Sequence, residues 1–398
     1  MHNTDNRFGK TITEMRHKKG WTQAMLAKKL NVSDKTISRW ECGLGYPEVT
    51  LLPTLSQIFG VSTDYLLSVE ELSYMLPDEF TFVNRFVKYS GNPIIRPQGE
   101  LAKDQIFNPA ATVYDGKVAL LCRCINYDDK PKKSNWSVSS LVWAWSSDGV
   151  NFTLDEKPFL KPDNKSVYGG GFEDPRIVWL PDEEIYVLTY TGVKSYIDTP
   201  GLIALSKDLK NWEFLGEAFP DRAVCIVPKK INGKYWAYYG NSSIFISWSY
   251  DLRTWHTDRK PVINTREGKF DGHICEGAAP PIVSENGILF LYNGATPDKE
   301  NYDYVNKHGL TEYLAHRTES RYSIGWALFD INDPTKLVAR CEEPILEPTE
   351  LYELYGHVGF TVFGCGLVKF NSKYHLYYGS NDNRICVAIE DEKESLEE

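Results

Sequence analysis

The sequence lacks any apolar run of the roughly 18 to 20 residues that a membrane-spanning helix needs, and its first ten residues, MHNTDNRFGK, lack the apolar core of a signal peptide. Methionine is scarce, with 4 residues in 398, whereas 11 Trp and 24 Tyr make the chain rich in aromatic side chains. This composition favours β-strands or a sugar-binding surface over a helical bundle. We therefore expect a cytoplasmic protein without a membrane partner.

Cysteine pairs of the kind that bind metals are also lacking. The 8 cysteines form no CxxC pair and have no zinc-like spacing with histidine. Cysteines without such a pattern are, by default, reduced and mostly buried thiols. We expect no disulfide, no metal and no cofactor.

Charge is distributed unevenly along the chain. The net charge is −10, yet residues 1–69 hold nine Lys and Arg against six Asp and Glu and are positive. A chain of 398 residues also exceeds one ordinary core, which predicts two domains. The predicted division is a helical domain at 1–69, a linker with the first strand at 70–91, a second domain at 92–392 and an acidic tail at 393–398.

The first part of the chain has apolar residues at helical spacing from Arg7 to about Leu67. Thr22 and Ser33 stand where helix N-caps are expected, immediately before periodic segments. The pattern predicts five short helices: Arg7–Lys19, Thr22–Leu30, Ser33–Glu41, the segment VTLLPTLSQIF and the segment STDYLL.

The segment TQAMLAKKLNVSDKTISRWECGLGYPEVTLLPTLSQIFGVSTDYLL resembles the Cro/repressor (XRE-like) type of helix-turn-helix domain. The resemblance implies that the helix after Ser33 enters the major groove of double-stranded DNA, and the small positive charge favours a homodimer that reads two half-sites. Ile37 and Trp40 are expected in the core. A helical bundle used for protein contacts is the alternative. The candidate DNA-binding residues are Gln23, Ser33, Lys35, Thr36, Ser38 and Arg39.

Beyond residue 92, short aromatic and β-branched runs alternate with turn residues, and one pattern recurs. VWAWSSDGVNFTL (142–154), IALSKDLKNWEFL (203–215) and ISWSYDLRTWHTD (246–258) share a strand, a Ser-x-Asp turn and a further apolar segment. Repetition at about 40 to 60 residues is typical of propeller blades. We expect Asp148, Asp208 and Asp251 to cap turns and Trp212 and Trp255 to pack between sheets. The fold class is thus a small all-α domain followed by an all-β five-bladed β-propeller, with a pair of β-sandwiches as the alternative.

Five motifs occur within this second part: FNPA, LLCRCINY, GFEDPR, HICEGAAPPI and YYGSND. In their order they resemble glycoside hydrolase family 130, five-bladed propeller enzymes that act on β-mannosides. The resemblance implies that Asp174 is the catalytic acid and that a β-mannoside oligosaccharide is bound. Strand alternation predicts that Glu173 points away from Asp174 and Arg176. The expected ligands of sugar hydroxyls are Asn108, Arg123, Arg176 and Asp382.

The nucleophile is the remaining question, since the family contains hydrolases and phosphorylases. Where phosphorylases carry a basic phosphate cradle, this chain retains Arg222 as a firm cation, together with His273. The pattern favours hydrolysis with inversion, in which Glu276, or less strongly Glu319, is the base that activates water. One alternative is a phosphorylase that uses inorganic phosphate bound by Arg222 and His273. Another is a sugar-sensing transcription regulator without catalysis.

Overall fold

The computed structural model describes residues 7–61, 63–67, 76–129, 137–163, 165–296 and 320–391. The chain divides into two compact units, Met1–Leu76 and Pro77–Glu398. Within the described ranges, no helix has both the length and the apolar character needed to cross a bilayer. A small helical unit is therefore followed by a large β-rich unit.

The helical unit contains the five predicted helices. Thr22 caps the second by accepting a hydrogen bond from Met25 N, and Ser33 caps the third by accepting one from Thr36 N. Both N-caps were predicted, because Ser and Thr oxygens satisfy backbone donors that a helix start leaves free. The elements are α1 (Arg7–Lys18), α2 (Gln23–Leu30), α3 (Asp34–Glu41), a 3-10 turn (Val49–Leu51), α4 (Leu52–Phe59) and α5 (Thr63–Leu66).

The β-rich unit begins with a 3-10 helix at Asp78–Arg85, and its described residues contain one short helix, α6 (Leu351–Leu354). All its other described elements are strands. They are β1 (Phe86–Lys88), β2 (Gln105–Tyr114), β3 (Lys117–Ile125), β4 (Ser139–Ser146), β5 (Thr153–Leu154), β6 (Gly171–Leu180), β7 (Ile185–Val193), β8 (Gly201–Ser206), β9 (Trp212–Phe219), β10 (Cys225–Ile226), β11 (Tyr235–Tyr239), β12 (Phe245–Ser249), β13 (His256–Thr257), β14 (Ile274–Gly277), β15 (Ile282–Ser284), β16 (Gly287–Thr296), β17 (Arg321–Phe329), β18 (Leu337–Arg340), β19 (Val362–Phe370), β20 (Lys373–Ser380) and β21 (Arg384–Glu390).

The described strands form five antiparallel groups. Group 1 is β2–β5, group 2 is β6–β9, group 3 is β10–β13, group 4 is β14–β18, and group 5 is β19–β21 with β1. One parallel bridge between Ser139 and Gly171 joins groups 1 and 2 into a single sheet. Strand β1 pairs with β21, so the first and last strands of the unit belong to the same group.

Apolar layers lie between successive groups. Val118 and Tyr377 share a buried cluster between groups 1 and 5, and further clusters lie between groups 1 and 2 and between groups 2 and 3. Tyr238 of group 3 stacks on Phe290 and Phe329 of group 4. Each sheet thus buries a face against its neighbour, as an isolated sheet could not.

The recurring Ser-x-Asp turns have the predicted capping role. Asp208 Oδ1 accepts hydrogen bonds from Lys210 N and Asn211 N, and Asp148 and Asp251 make the equivalent contacts. The indoles of Trp212 and Trp255 then donate to the carbonyls of the residues following these aspartates, Leu209 and Leu252. Both tryptophans pack against buried clusters between sheets, as expected.

Candidate active site

Two similar bulges carry the first residues of the site. The register of β2 with β3 and that of β6 with β7 both shift at a bulge, where Asn108 and Asp174 have φ of 45° and 44°. Each of these residues precedes a proline, Pro109 or Pro175, which cannot donate to a sheet. A bulge re-aims the side chains beside it. Here it brings Asn108 Nδ2 to 2.9 Å from Asp174 Oδ1.

Two arginines from different groups converge on the acidic pair. Arg123, on β3, donates to Asp174 Oδ1 at 3.1 Å and to Glu173 Oε1 at 2.5 Å. Arg222, from the segment before β10, donates to Glu173 Oε2 at 2.8 Å. Two guanidinium groups therefore flank one carboxylate, and all four side chains are at most 20% exposed.

Glu173 does not point away from Asp174, and that prediction was wrong. Both side chains bond to Arg123, because the bulge interrupts the alternation of β6 between Glu173 and Arg176. Sequence reasoning left Glu173 without a role. The signal that could have found it is Pro175, since a proline inside a strand pattern indicates a bulge.

The electrostatic environment of Asp174 favours its carboxylate. Burial alone would raise the pKa of this buried group. The positive charges of Arg123, Arg222 and Arg176, with the hydrogen bond from Asn108, outweigh burial and hold the pKa of Asp174 below its ordinary value. Without bound substrate, the predicted acid is therefore ionised.

Two other carboxyls of the site have the opposite tendency. Burial raises the pKa of Glu276, on β14, to about 7, although Arg222 opposes the change. Burial likewise raises the pKa of Asp382, in the turn between β20 and β21, to about 6, with Arg123 opposing and Asp174 reinforcing the shift. Near neutral pH the cluster can therefore hold protons on these two groups.

Arg176 is the most deeply buried of the predicted sugar ligands. Its Nε donates to Ala278 O, one terminal nitrogen donates to Gly277 O, and the other donates to Asp174 O. With an exposed fraction of 1%, its guanidinium joins the backbone of β6 to that of β14 and the residue after it. The guanidinium of Arg176 is thus held by backbone carbonyls of two strands.

Three polar atoms of the cluster lack a hydrogen-bond partner among the described residues. They are Asn108 Oδ1, Arg222 Nε and Glu276 Oε1, and each is buried. Leaving such a group unpaired costs about 1–3 kcal/mol. One donor and at least two acceptors at the same site fit a polar ligand that carries both hydroxyls and anionic oxygens.

The remaining predicted residues are not brought into this cluster. His273 is exposed, and the described hydrogen bonds involve its backbone rather than its ring. Glu319 lies outside the described residues. No group of His, Cys, Asp or Glu within the described part of the chain is arranged to hold a metal ion.

The helical unit presents the predicted DNA-facing residues on α3. Lys35 and Arg39 are exposed, Thr36 and Ser38 are half-buried, and Ile37 and Trp40 are buried on the opposite side, as predicted. Gln23, at the start of α2, donates to Glu41, which also pairs with Arg16. This network ties α1, α2 and α3 together and fixes the position of Gln23.

In sequence order, a unit with a helix-turn-helix precedes a β-rich unit that contains a buried arginine–carboxylate cluster. Residues 78–397 match the model of glycoside hydrolase family 130, described as beta-1,4-mannooligosaccharide phosphorylase, and residues 12–66 match a helix-turn-helix model. The chain belongs to glycoside hydrolase family 130, fused to an N-terminal helix-turn-helix domain.

Curated relatives extend this assignment. A beta-1,2-mannobiose phosphorylase of Listeria innocua is 37% identical over 63% of this chain and 66% of its own length. A beta-1,2-mannobiose phosphorylase of a Thermoanaerobacter species is 34% identical over 77% of this chain and 97% of its own length. The crystal structure of the Listeria innocua enzyme with beta-1,2-mannobiose has a TM-score of 0.64 at 30% identity, covering 76% of this chain and 96% of that one.

These relatives correct the expectation that hydrolysis is favoured over phosphorolysis. That expectation was wrong, because the similar enzymes are named phosphorylases, whose co-substrate is inorganic phosphate. Among the residues predicted to bind phosphate, Arg222 was the single firm cation. In the structure Arg123 lies beside it, since both guanidinium groups bond to Glu173, so the positive charge of the site was underestimated.

Proposed function

We propose that the β-rich unit is a phosphorylase of β-1,2-linked mannobiose or short mannooligosaccharides. A phosphate oxygen forms a bond to the anomeric carbon while the bond from that carbon to the bridging oxygen breaks. The bridging oxygen takes a proton from Asp174, and the products are mannose 1-phosphate, with inverted configuration, and the shortened sugar. The observation that carries the proposal is the pair Arg123 and Arg222 beside the acidic bulge, in a chain whose relatives are phosphorylases.

Phosphate binding also favours the protonated form of Asp174, which this reaction needs. In the ligand-free site, arginines hold the pKa of Asp174 low. A phosphate dianion next to Arg222 offsets that positive charge and places a negative charge nearby, and both effects raise the pKa of Asp174. The acid therefore becomes protonated as the nucleophile arrives, which couples the two halves of the displacement.

The other site residues divide into sugar ligands and positioning groups. Asn108, Arg123 and Asp382 hold hydroxyls of the mannosyl residue, since they surround Asp174 and Asn108 Oδ1 is an unpaired acceptor. Arg176 keeps the backbone of β14 in place. Arg222 is the principal phosphate ligand, and its unpaired Nε is available for one of the phosphate oxygens.

The arrangement of the five groups is inferred to be a five-bladed propeller. Apolar clusters lie between groups 1 and 2, 2 and 3, and 5 and 1, and aromatic contacts link group 3 to group 4 and group 4 to group 5. A cyclic order of neighbours of this kind supports five blades around an axis. The site residues then come from several blades.

The helical unit is proposed to bind double-stranded DNA as a dimer. The support is the exposed position of Lys35 and Arg39 on α3 and the match to helix-turn-helix proteins. Lys35→Ala should lower the affinity of the protein for duplex DNA that carries its binding site. It should also reduce the slope of log affinity against log salt concentration by about 1, which titrations at several salt concentrations measure. An unchanged slope would contradict phosphate contact by Lys35.

Product analysis tests the enzymatic proposal. The full-length chain, incubated with β-1,2-mannobiose, should form mannose 1-phosphate and mannose with inorganic phosphate present, and little product without it. Asp174→Asn should lower the rate by about 10²–10⁴-fold, because it removes the proton donor. The matched control is Asp182→Asn, an exposed carboxyl between β6 and β7. Release of two free mannoses at the same rate without phosphate would overturn the proposal.

A further inference from the structure

Glu276 is a buried carboxyl for which the described structure provides no hydrogen-bond partner at Oε1. Its exposed fraction is 5%, and it lies on β14 immediately before Gly277, whose carbonyl accepts from Arg176. The backbone next to Glu276 is therefore held by Arg176, while Oε1 of the Glu276 side chain has no hydrogen-bond partner among the described residues. A buried polar group of this kind is expected to meet its partner in a ligand.

The groups around Glu276 give it a mixed electrostatic environment. Arg222 and Arg176 favour its ionised form, whereas burial, Asp174 and Asp221 favour its neutral form. Burial is the largest effect and raises the pKa to about 7, so the neutral form predominates below that pH. The other titratable groups that sense its charge are the buried thiols of Cys225 and Cys365.

A neutral carboxylic acid has one O–H donor and one carbonyl acceptor. An ionised carboxylate offers acceptors only and repels a phosphate dianion. Arg222 donates to Glu173, and the charge of Glu276 also acts on Arg222. A phosphate bound to Arg222 Nε would thus also experience the charge of the Glu276 carboxyl.

We propose that Glu276 binds phosphate as an un-ionised carboxylic acid beside Arg222, donating its proton in a hydrogen bond to a phosphate oxygen. This role rests on the proposed phosphorolysis. Together with Arg222, the un-ionised carboxyl offers the phosphate a second hydrogen-bond donor without adding a negative charge. Phosphate binding should then be coupled to proton uptake by the enzyme, because the bound dianion favours the neutral carboxyl further.

Calorimetric titration with inorganic phosphate tests the coupling without turnover. Titrations of the full-length chain at about pH 7.5, in buffers of different ionisation enthalpy, give the protons taken up per phosphate bound. The wild type should take up about half a proton more than Glu276→Gln, which cannot titrate. Titration of phosphate itself is common to both proteins and cancels in the difference. Equal uptake by the two proteins would overturn the proposal.

Kinetics provide a second readout. Glu276→Gln keeps a hydrogen-bond donor and an acceptor, so its KM for phosphate below about pH 6.5 should stay within about threefold of the wild type. Above about pH 7 the wild-type KM should rise more steeply than that of the variant, since ionised Glu276 repels the dianion. Glu276→Ala should raise KM about tenfold at low pH, with a smaller effect on kcat. A Gln variant inactive at every pH would contradict a neutral role.

The matched control is Asp221→Asn. Asp221 also acts on Arg222, but its two oxygens accept from the backbone N–H groups of Arg222 and Asn241, so no phosphate contact is assigned to it. Its replacement removes a charge that favours neutral Glu276, so the extra proton uptake should be smaller than in the wild type but should stay above that of Glu276→Gln. Phosphate binding with the expected uptake but without mannose 1-phosphate formation would overturn the proposed activity alone. Absence of phosphate binding by the wild type would overturn both proposals.

Discussion

At the residue scale, Glu173 joins the guanidinium group of Arg123, on β3, to that of Arg222, in the segment before β10. Its Oε1 accepts from Arg123 and its Oε2 from Arg222, while Ser139 donates to Oε1 as well. Such bridging restricts both arginines to one geometry before substrate arrives. Pre-positioned charges of this kind are more effective than mobile ones, because no reorganisation is needed during the reaction.

Replacing Glu173 by Gln should weaken both stability and catalysis. Loss of one partner of a buried ion pair costs about 3–5 kcal/mol, and misplaced arginines lower kcat/KM by about 10²-fold. Phosphate should restore part of the stability of the variant, since an anion replaces the lost carboxylate. Urea unfolding with and without phosphate measures this gain. The control is Glu183→Gln, a carboxyl that pairs with Lys230 away from the cluster; a gain no larger than its own would contradict the bridging role.

Glu276 predicts a pH dependence of stability in the ligand-free protein. Its pKa is about 7 when folded and about 4.3 when unfolded, so the folded state holds more protons between these values. Stability therefore falls as pH rises through this window, and Glu276→Gln removes the fall. The difference should approach about 3 kcal/mol, measured by urea unfolding at about pH 4.5 and pH 8. Parallel pH profiles for the two proteins would refute it.

At the element scale, the residue after the aspartate of each Ser-x-Asp turn adopts a positive φ. Gly149, Leu209 and Leu252 occupy equivalent positions, and all have positive φ, at 82°, 55° and 64°. Leucine in this conformation costs roughly 1–2 kcal/mol. Leu209 and Leu252 are each 3% exposed and belong to buried clusters between sheets. The gain from burying leucine offsets the backbone strain.

Leu252→Gly separates these two contributions. It relieves the strain but removes a buried side chain, a loss of about 2–5 kcal/mol for the comparable Leu→Ala change. The free energy of unfolding should therefore fall by about 1–3 kcal/mol, measured by urea denaturation. Asp115→Gly is the control, because Asp115 also has positive φ, 49°, but is exposed, and it should change little. An increase in stability for Leu252→Gly would mean that strain dominates.

The elements also show what could be predicted from sequence. The helices were predictable because Thr22 and Ser33 mark their starts, and the turns because Asp208 and its counterparts have a local role. The site was less predictable. Strand alternation fails at the two bulges, where Pro109 and Pro175 interrupt the sheet. In addition, Arg123 and Arg222 meet at Glu173 through contacts between residues that are far apart in sequence.

At the scale of the whole molecule, the first elements of the β-rich unit are part of its core. Phe80, Phe82 and Val83 of the 3-10 helix are buried, and β1 covers the edge of β21. The compact unit begins at Pro77, ahead of both elements. Residues 77–398 therefore contain the elements that form this core.

Two truncations test this boundary. Residues 77–398 alone should retain the rate of the proposed phosphorolysis within about twofold, since every described site residue is present. Compared with residues 77–398, deletion of residues 1–91 also removes the buried Phe80, Phe82 and Val83, each stabilising by about 1.5–3 kcal/mol, and should unfold a protein of ordinary stability. Thermal unfolding and product assays measure both. A shorter protein that melts at the same temperature as the longer one would show that β1 is dispensable.

The pairing of β1 with β21 also has a consequence for synthesis. The sheet that contains β1 cannot be completed until β21 has been made about 300 residues later. During translation the helical unit can fold early, because its contacts are local, whereas β1 must wait with an unpaired edge. A ribosome stalled before β21 would hold a chain whose helical unit is folded while its β-rich unit is incomplete, and such intermediates are exposed to aggregation unless chaperones bind them.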